Sequence, residues 1–207
     1  MTDNLVVTIA RQYGSGGREV GEKLAKEMNM AYYDESLIKL AAEKSGMSLE
    51  ALENVDERAT PSLLYAVAMG SAGMMPFNYG MLYETPLNDK LFAYQSMIIK
   101  EEAAKGPSVF IGRCADFVLE GHPKLVRVFI YADLDKRAQT IAARKEIEVG
   151  EAKNLAVKTD KKRASYYNYY TSRKWGRIEN YDVMIDTAKI GVDGAVKVIQ
   201  EYIKNLG

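Results

Sequence analysis

The chain has 207 residues, 47% of them hydrophobic, with 28 Lys/Arg balanced by 28 Asp/Glu, which suits one domain carrying an insertion around a sizeable core. No apolar run reaches the roughly 18 uncharged residues of a membrane span, and Met1-Thr2-Asp3-Asn4 opens no secretory pattern. One cysteine and one histidine exclude an intrachain disulfide and argue against a structural zinc set, so a cytoplasmic protein is expected.

The zero net charge conceals a basic middle. There are 9 Lys/Arg against 15 Asp/Glu over 1–104, 16 against 8 over 105–177, and 3 against 5 over 178–207. Such a field suits an anionic ligand, although solvated helix faces produce the same count.

Leu5-Val6-Val7-Thr8-Ile9 is short and β-branched, and predicts a buried strand. From about Gly17, Val20, Leu24 and Met28 fall on one helix face, which Asn29 can stop. Met30-Ala31-Tyr32-Tyr33 predicts a second strand, after which Asp34 or Ser36 caps a helix through Leu37, Leu40 and Ala41 to Gly46. Ser48 to Val55 reads as helical, Pro61 opens another helix through Leu63 to Met69, and "GSAGMMPFNYGMLYETP" reads as a mobile apolar segment. Asn88 or Asp89 then caps a helix carrying Leu91, Tyr94 and Ile98 as far as Gly106-Pro107. Strands are predicted over 108–112, 125–131 and 183–186, helices over about 134–146 and 151–172, and a closing helix carries Val192, Val196, Ile199 and Ile203. This alternation predicts an α/β fold: a parallel sheet of about five strands covered by helices on both faces.

The stretch "TIARQYGSGGREVGEKLA", residues 8–25, sets a glycine-rich turn between the first strand and the first helix. A helix start offers unpaired N–H groups and partial positive charge, and glycines let the backbone close on a phosphate. Gly14, Ser15, Gly16, Gly17, Arg18 and Glu19 are therefore the candidate phosphate-binding residues. The pattern G-x-x-x-x-G-K-[ST] is incomplete here. With Gly16 as its second glycine, Gly17 stands at the lysine and Arg11 at the first glycine. With Gly17 as its second glycine, Arg18 stands at the lysine, Glu19 at the Ser/Thr and Gln12 at the first glycine. Arg18 can donate to phosphate through its planar fork. Glu19 repels a triphosphate unless Mg²⁺ or an arginine intervenes.

Six stretches in order carry a wider resemblance: "TIARQYGSGGREVGEKLA", "YYDESLI", "FIGRCADFVL", "VRVFIYADLDKRAQTI", "KTDKKRASYYNYYTSRKWG" and "YDVMIDTAKIG". Over residues 5–190, with 47–105 matched loosely, the chain resembles the cytidylate kinase-like proteins, a branch of the P-loop nucleoside monophosphate kinases. The resemblance implies ATP and Mg²⁺ as cofactors and a P-loop kinase core over 1–46, 106–144 and 178–207. It also implies a helical substrate-binding insertion over 47–105 and a basic helical lid over 145–177. Where cytidylate kinases carry Gly-Arg-Asp, this chain has Gly112-Arg113-Cys114. Arg113 is thus an expected substrate contact, and Asp116, two residues beyond the lost carboxylate, is a second. Asp34 is either a helix cap or a substrate residue, and Lys39 is the cation nearest the family's missing phosphate-gripping arginine.

In the lid, Lys158, Lys161 or Lys162, and Arg163 fall at three-to-five-residue spacing, so a helix can present several cations on one side. The resemblance makes Arg163 the leading candidate for stabilising the transferring phosphoryl group, followed by Arg144, Arg173 and Arg18, with Asp160 orienting one of them. Tyr166, Tyr167, Tyr169 and Tyr170 divide into two core and two partly exposed positions, which disfavours a nucleic-acid partner. Trp175 packs the lid end and His122 belongs to a turn. Met69, Met74, Met75 and Met81 suit an adaptable pocket or a subunit contact, which would make the insertion a homo-oligomer surface, with core filling as the simpler account. Three readings follow: an ATP-dependent kinase of a CMP-like nucleotide, a kinase of another small metabolite, and a nucleotide-binding regulator without turnover.

Overall fold

In the computed structural model, residues 4–55 and 86–206 are described. Five strands form one sheet: β1 (Val6–Arg11), β2 (Ala31–Tyr33), β3 (Ser108–Ile111), β4 (Leu125–Tyr131) and β5 (Val183–Asp186). All pairings are parallel, in the order β2-β3-β1-β4-β5. β1 is central, and Val6 lies opposite both Ser108 and Leu125. That position explains its sequence, since a strand covered on both faces needs an apolar run rather than alternation.

Helices cover both faces. They are α1 (Gly17–Met28), α2 (Ser36–Ser45), α3 (Leu49–Val55), α4 (Leu87–Lys105), α5 (Ala115–Val118), α6 (Leu134–Lys145), α7 (Val149–Thr171) and α8 (Thr187–Lys204). Alternate side chains of β1 serve opposite layers. Val7 and Ile9 pack with Val20 and Leu24 of α1 and Val196 and Ile199 of α8. Val6 packs with Leu37 of α2, Ile98 and Ile99 of α4, and Phe110.

Three details differ from the sequence reading. β1 runs on to Arg11, which delivers that side chain to the carboxyl edge of the sheet. No side chain caps α2, because the Asp34 carboxylate is turned toward Arg18 instead. Pro86, rather than Asn88 or Asp89, precedes α4, with fixed φ ready for the first turn. The predicted helix after Pro61 and the apolar stretch beyond it lie outside the described residues, as do the four insertion methionines.

α7 bridges the molecule. Its first half packs Ala152 and Ala156 on Ala138 and Ile141 of α6. Its second half buries Tyr166, Tyr167 and Tyr170 against Phe92 of α4 and Cys114. Three of the four tyrosines are buried, one more than the spacing predicts, because α4 covers a face that the sequence leaves open. Among the described residues no helix is long and apolar enough to cross a membrane.

Candidate active site

Between β1 and α1 the chain turns through Gly14 (φ 81°) and Gly16 (φ 77°), a left-handed geometry that favours glycine. The turn is pinned from beneath. The Gln12 N–H donates to Ile130 O (3.0 Å), and the Ser15 hydroxyl donates to Gln12 O (2.8 Å) and Ile130 O (3.2 Å). Gln12 Oε1 accepts from the Ala132 N–H (3.2 Å), and Thr187 Oγ1 donates to Ser15 O (2.6 Å). The Ser15 amide is spent on Gln12 O at 3.3 Å. By contrast, the amides of Gly14, Gly16, Gly17, Arg18 and Glu19 have no hydrogen-bond partner among the described residues, and the Val20 N–H is the first to donate back, to Gly16 O. Five orphan donors at and just before the positive end of a 12-residue helix are an arrangement that can receive an anion.

Three predicted residues converge on Tyr13, inside this turn. Asp160 of α7 accepts from the Tyr13 N–H (2.7 Å) with one oxygen and from Arg137 Nη1 (2.7 Å) with the other. The guanidinium carbons of Arg144 and Arg163 stand 5.5 and 5.6 Å from the Tyr13 ring centre, within cation–π range. Arg163 Nη1 also donates to Arg11 O (3.0 Å). Asp160 therefore orients the turn and Arg137, not one of the lid arginines named from the sequence.

Other predicted residues lie elsewhere. Arg18 is directed at the β2–α2 junction, where Asp34 (2.6 Å) and Glu35 (2.8 Å) hold its fork. That pairing holds the Glu35 carboxyl below the usual range. Arg173 donates twice to Glu120 (2.7 and 2.8 Å) and lies over the Phe117 ring. Lys39 is exposed on α2, and Glu19 is exposed on α1. Asp34 is buried, and its second oxygen, Oδ1, has no partner.

Beside the turn a small cavity is lined by Arg11, Arg113, Asp116, Arg163, Tyr167 and Trp175, with Gly112 and Cys114 in its wall. Arg11, Arg113 and Asp116 are only 7%, 6% and 6% exposed. Arg113 and Cys114 both take left-handed φ (54° and 55°), a double kink that turns the chain out of β3. Asp116 Oδ2 accepts from the Tyr167 hydroxyl at 2.7 Å. Burial pushes the Asp116 carboxyl above its usual pKa, against the pull of that hydroxyl. Burial, followed by the neighbouring Asp116, likewise raises the Tyr167 phenol.

Two functional candidates, Arg11 and Arg137, escape the sequence reading. A cation closing an apolar strand just ahead of a glycine turn is a usable signal for Arg11. Arg137 carries none, since it is one of several cations on a mixed helix. No group of three or more His, Cys, Asp or Glu among the described residues could cage a metal ion, and the Ser15 hydroxyl faces inward.

The cytidylate kinase-like family profile matches residues 6–189. The chain belongs to that family. A cytidylate kinase of Methanopyrus kandleri is 23% identical over 212 residues, covering 98% of this chain and 95% of its own. A cytidylate kinase of Pyrococcus horikoshii is 24% identical over 206 residues, covering 99% and 91%. A solved structure of an uncharacterized Eubacterium ventriosum protein superposes with TM-score 0.70 at 26% identity, covering 97% and 99% of the two chains. Shikimate kinase of Bacteroides thetaiotaomicron superposes with TM-score 0.54 at 11% identity, covering 97% and 98%. At that identity the likeness is one of fold alone, and the fold is the P-loop kinase type.

Proposed function

We propose that this member of the family is an ATP-dependent phosphotransferase whose acceptor is a nucleoside monophosphate of the CMP type, working with Mg²⁺. The observation that supports this reading is the meeting of unpaired backbone amides with a cation-lined cavity. The orphan amides at the start of α1 and a cavity lined by Arg11, Arg113, Arg163 and Asp116 meet through Arg11, whose stem packs on Gly17. Phosphoryl transfer between two polyanions asks little covalent help of a protein; it asks for positioning and cations. In this reading the donor phosphates lie over Gly14, Gly16 and Gly17. Arg113 grips the acceptor phosphate, Arg163 spans both groups from α7, and Asp116 accepts from the acceptor's base. Arg144 supports Arg163 across the Tyr13 ring. Mg²⁺, when bound with the nucleotide, would supply further neutralisation of phosphate charge. The attacking nucleophile is an acceptor phosphate oxygen, which needs no side-chain base. Residues 47–105 serve as the acceptor-binding insertion and 145–177 as the lid, in a cytoplasmic enzyme.

A second reading, transfer to another small metabolite, is favoured by Cys114 in place of a carboxylate and by the orphan Asp34 Oδ1, a buried acceptor suited to a hydroxyl donor. Incubation with Mg-ATP and a panel of nucleoside monophosphates and small hydroxylated metabolites, with product identification, tests both. ADP and CDP formed with CMP is the expected result. A phosphorylated product with a non-nucleotide acceptor alone selects the second reading. Tight ATP binding without product under any condition makes the chain a regulator and overturns both.

A further inference from the structure

The two departures from G-x-x-x-x-G-K touch each other. With Gly16 as the second glycine, Arg11 replaces the first glycine and Gly17 replaces the lysine. A Cβ on Gly17 would stand 2.5 Å from Arg11 Cβ and 3.0 Å from Arg11 Cγ, and the first of these is closer than carbon atoms approach. The stem of Arg11 thus fills most of the space in which a side chain at residue 17 would begin, with Ile130 Cβ the next neighbour at 3.2 Å. Glycine at 17 is the residue that Arg11 permits. The two departures are one exchange, in which a cation leaves the first residue of α1 and reappears on the last residue of β1.

We propose that Arg11 is the cation of the donor site, reaching the transferring phosphoryl group from beneath the turn in place of the missing lysine. The proposal rests on the phosphotransferase reading above. Arg11 is buried, lines the cavity with Arg113 and Arg163, and its carbonyl holds Arg163. These contacts set it at the seam between donor cradle and acceptor cavity, where charge develops. Arg18, the cation nearest in sequence, is engaged by Asp34 and Glu35. A guanidinium stays protonated and offers a fork that can span two phosphate oxygens, so the exchange preserves charge while adding directionality.

Four full-length proteins decide the matter: wild type, Arg11→Met, Gly17→Lys, and the double variant Arg11→Gly/Gly17→Lys, whose turn reads G-Q-Y-G-S-G-K. Affinities for Mg-ATP and Mg-ADP are measured by calorimetry, alongside thermal midpoints. Arg11→Met keeps the stem and removes the charge. It should weaken ATP about 10- to 100-fold, the range for a lost charged hydrogen bond, and ADP by less than about threefold. Gly17→Lys alone should lower the thermal midpoint by crowding Arg11. The double variant should recover ATP affinity to within about tenfold of wild type. If Arg11→Met folds and binds ATP like wild type, or loses ADP equally, Arg11 is not that cation. A double variant no better than Arg11→Met, or one that binds no ATP, overturns the exchange even if Arg11→Met fails to fold. Wild-type protein that binds no ATP overturns this inference and the phosphotransferase reading together, whereas intact wild-type binding with an indifferent Arg11 overturns this inference alone.

Discussion

Asp116 pays for its place in the cavity wall. Its carboxyl is buried and its pKa is raised chiefly by that burial. The folded chain therefore holds this proton to higher pH than the unfolded chain, for which the ordinary value is 3.8. Between those two values the native state binds more protons, so this group's contribution to stability declines as pH rises and stays unfavourable above the folded pKa. Asp116→Asn removes the buried charge while keeping an oxygen for the Tyr167 hydroxyl. It should raise the thermal midpoint at pH 7, and the gain should vanish in acid below the ordinary value, where both side chains are neutral. Acceptor KM should worsen in the same variant, the usual exchange of function for stability. Gains in midpoint that persist unchanged into acid would refute the burial account.

Arg163 and Gly17 give two more tests at this scale. Arg163→Met should lower kcat about 100-fold with little change in ATP affinity, as for loss of a charge acting on the transition state; a change confined to ATP binding would contradict that role. Gly17→Ala meets the Arg11 stem at 2.5 Å and should cost about 1–3 kcal/mol in denaturant unfolding, as overpacking does.

α7 is the element that joins the glycine turn to α4. One part ties to the glycine turn through Asp160, and the other is anchored on α4, where the Tyr170 ring stacks on Phe92 at 4.1 Å and its hydroxyl donates to Asp89 at 2.8 Å. Asp160→Ala leaves the Arg137 guanidinium, 6% exposed, without its carboxylate and frees the Tyr13 amide. A loss of about 3–5 kcal/mol is expected, the range for breaking a buried pair, and denaturant midpoints measure it. A loss below about 1 kcal/mol would make the pair incidental.

Elements of this kind were legible because their signals are local. A β-branched run, a helix-spaced apolar face and a glycine cluster occupy neighbouring positions in the chain. The direction of long charged side chains was not legible. Arg18 was expected on phosphate, yet its partners Asp34 and Glu35 arrive only when β2 is laid beside the sheet. Asp160 meets the Tyr13 amide across 147 residues, a pairing that no spacing rule encodes. The short α5, entered through two left-handed residues that are not glycine, left no pattern to find.

At the scale of the whole molecule, the sheet has a strand buried along its whole length in the centre, and that strand comes first in the chain. Val6 finds its partners at Ser108 and Leu125, so the cost of closing long loops precedes any reward from pairing. During synthesis β1 emerges with both edges bare, and it stays so until more than half the polypeptide has been made. A fragment ending at Lys105 should therefore remain unfolded or aggregate, with no cooperative thermal transition. A soluble, cooperatively melting fragment would show that α1, α2 and α4 suffice without β3. The geometry that delivers Arg11 and the glycine turn to the middle of the carboxyl edge is thus the same geometry that leaves a naked hydrophobic strand waiting on the ribosome. Assembly of the nascent chain, rather than endurance of the finished one, is where this architecture is most exposed to aggregation.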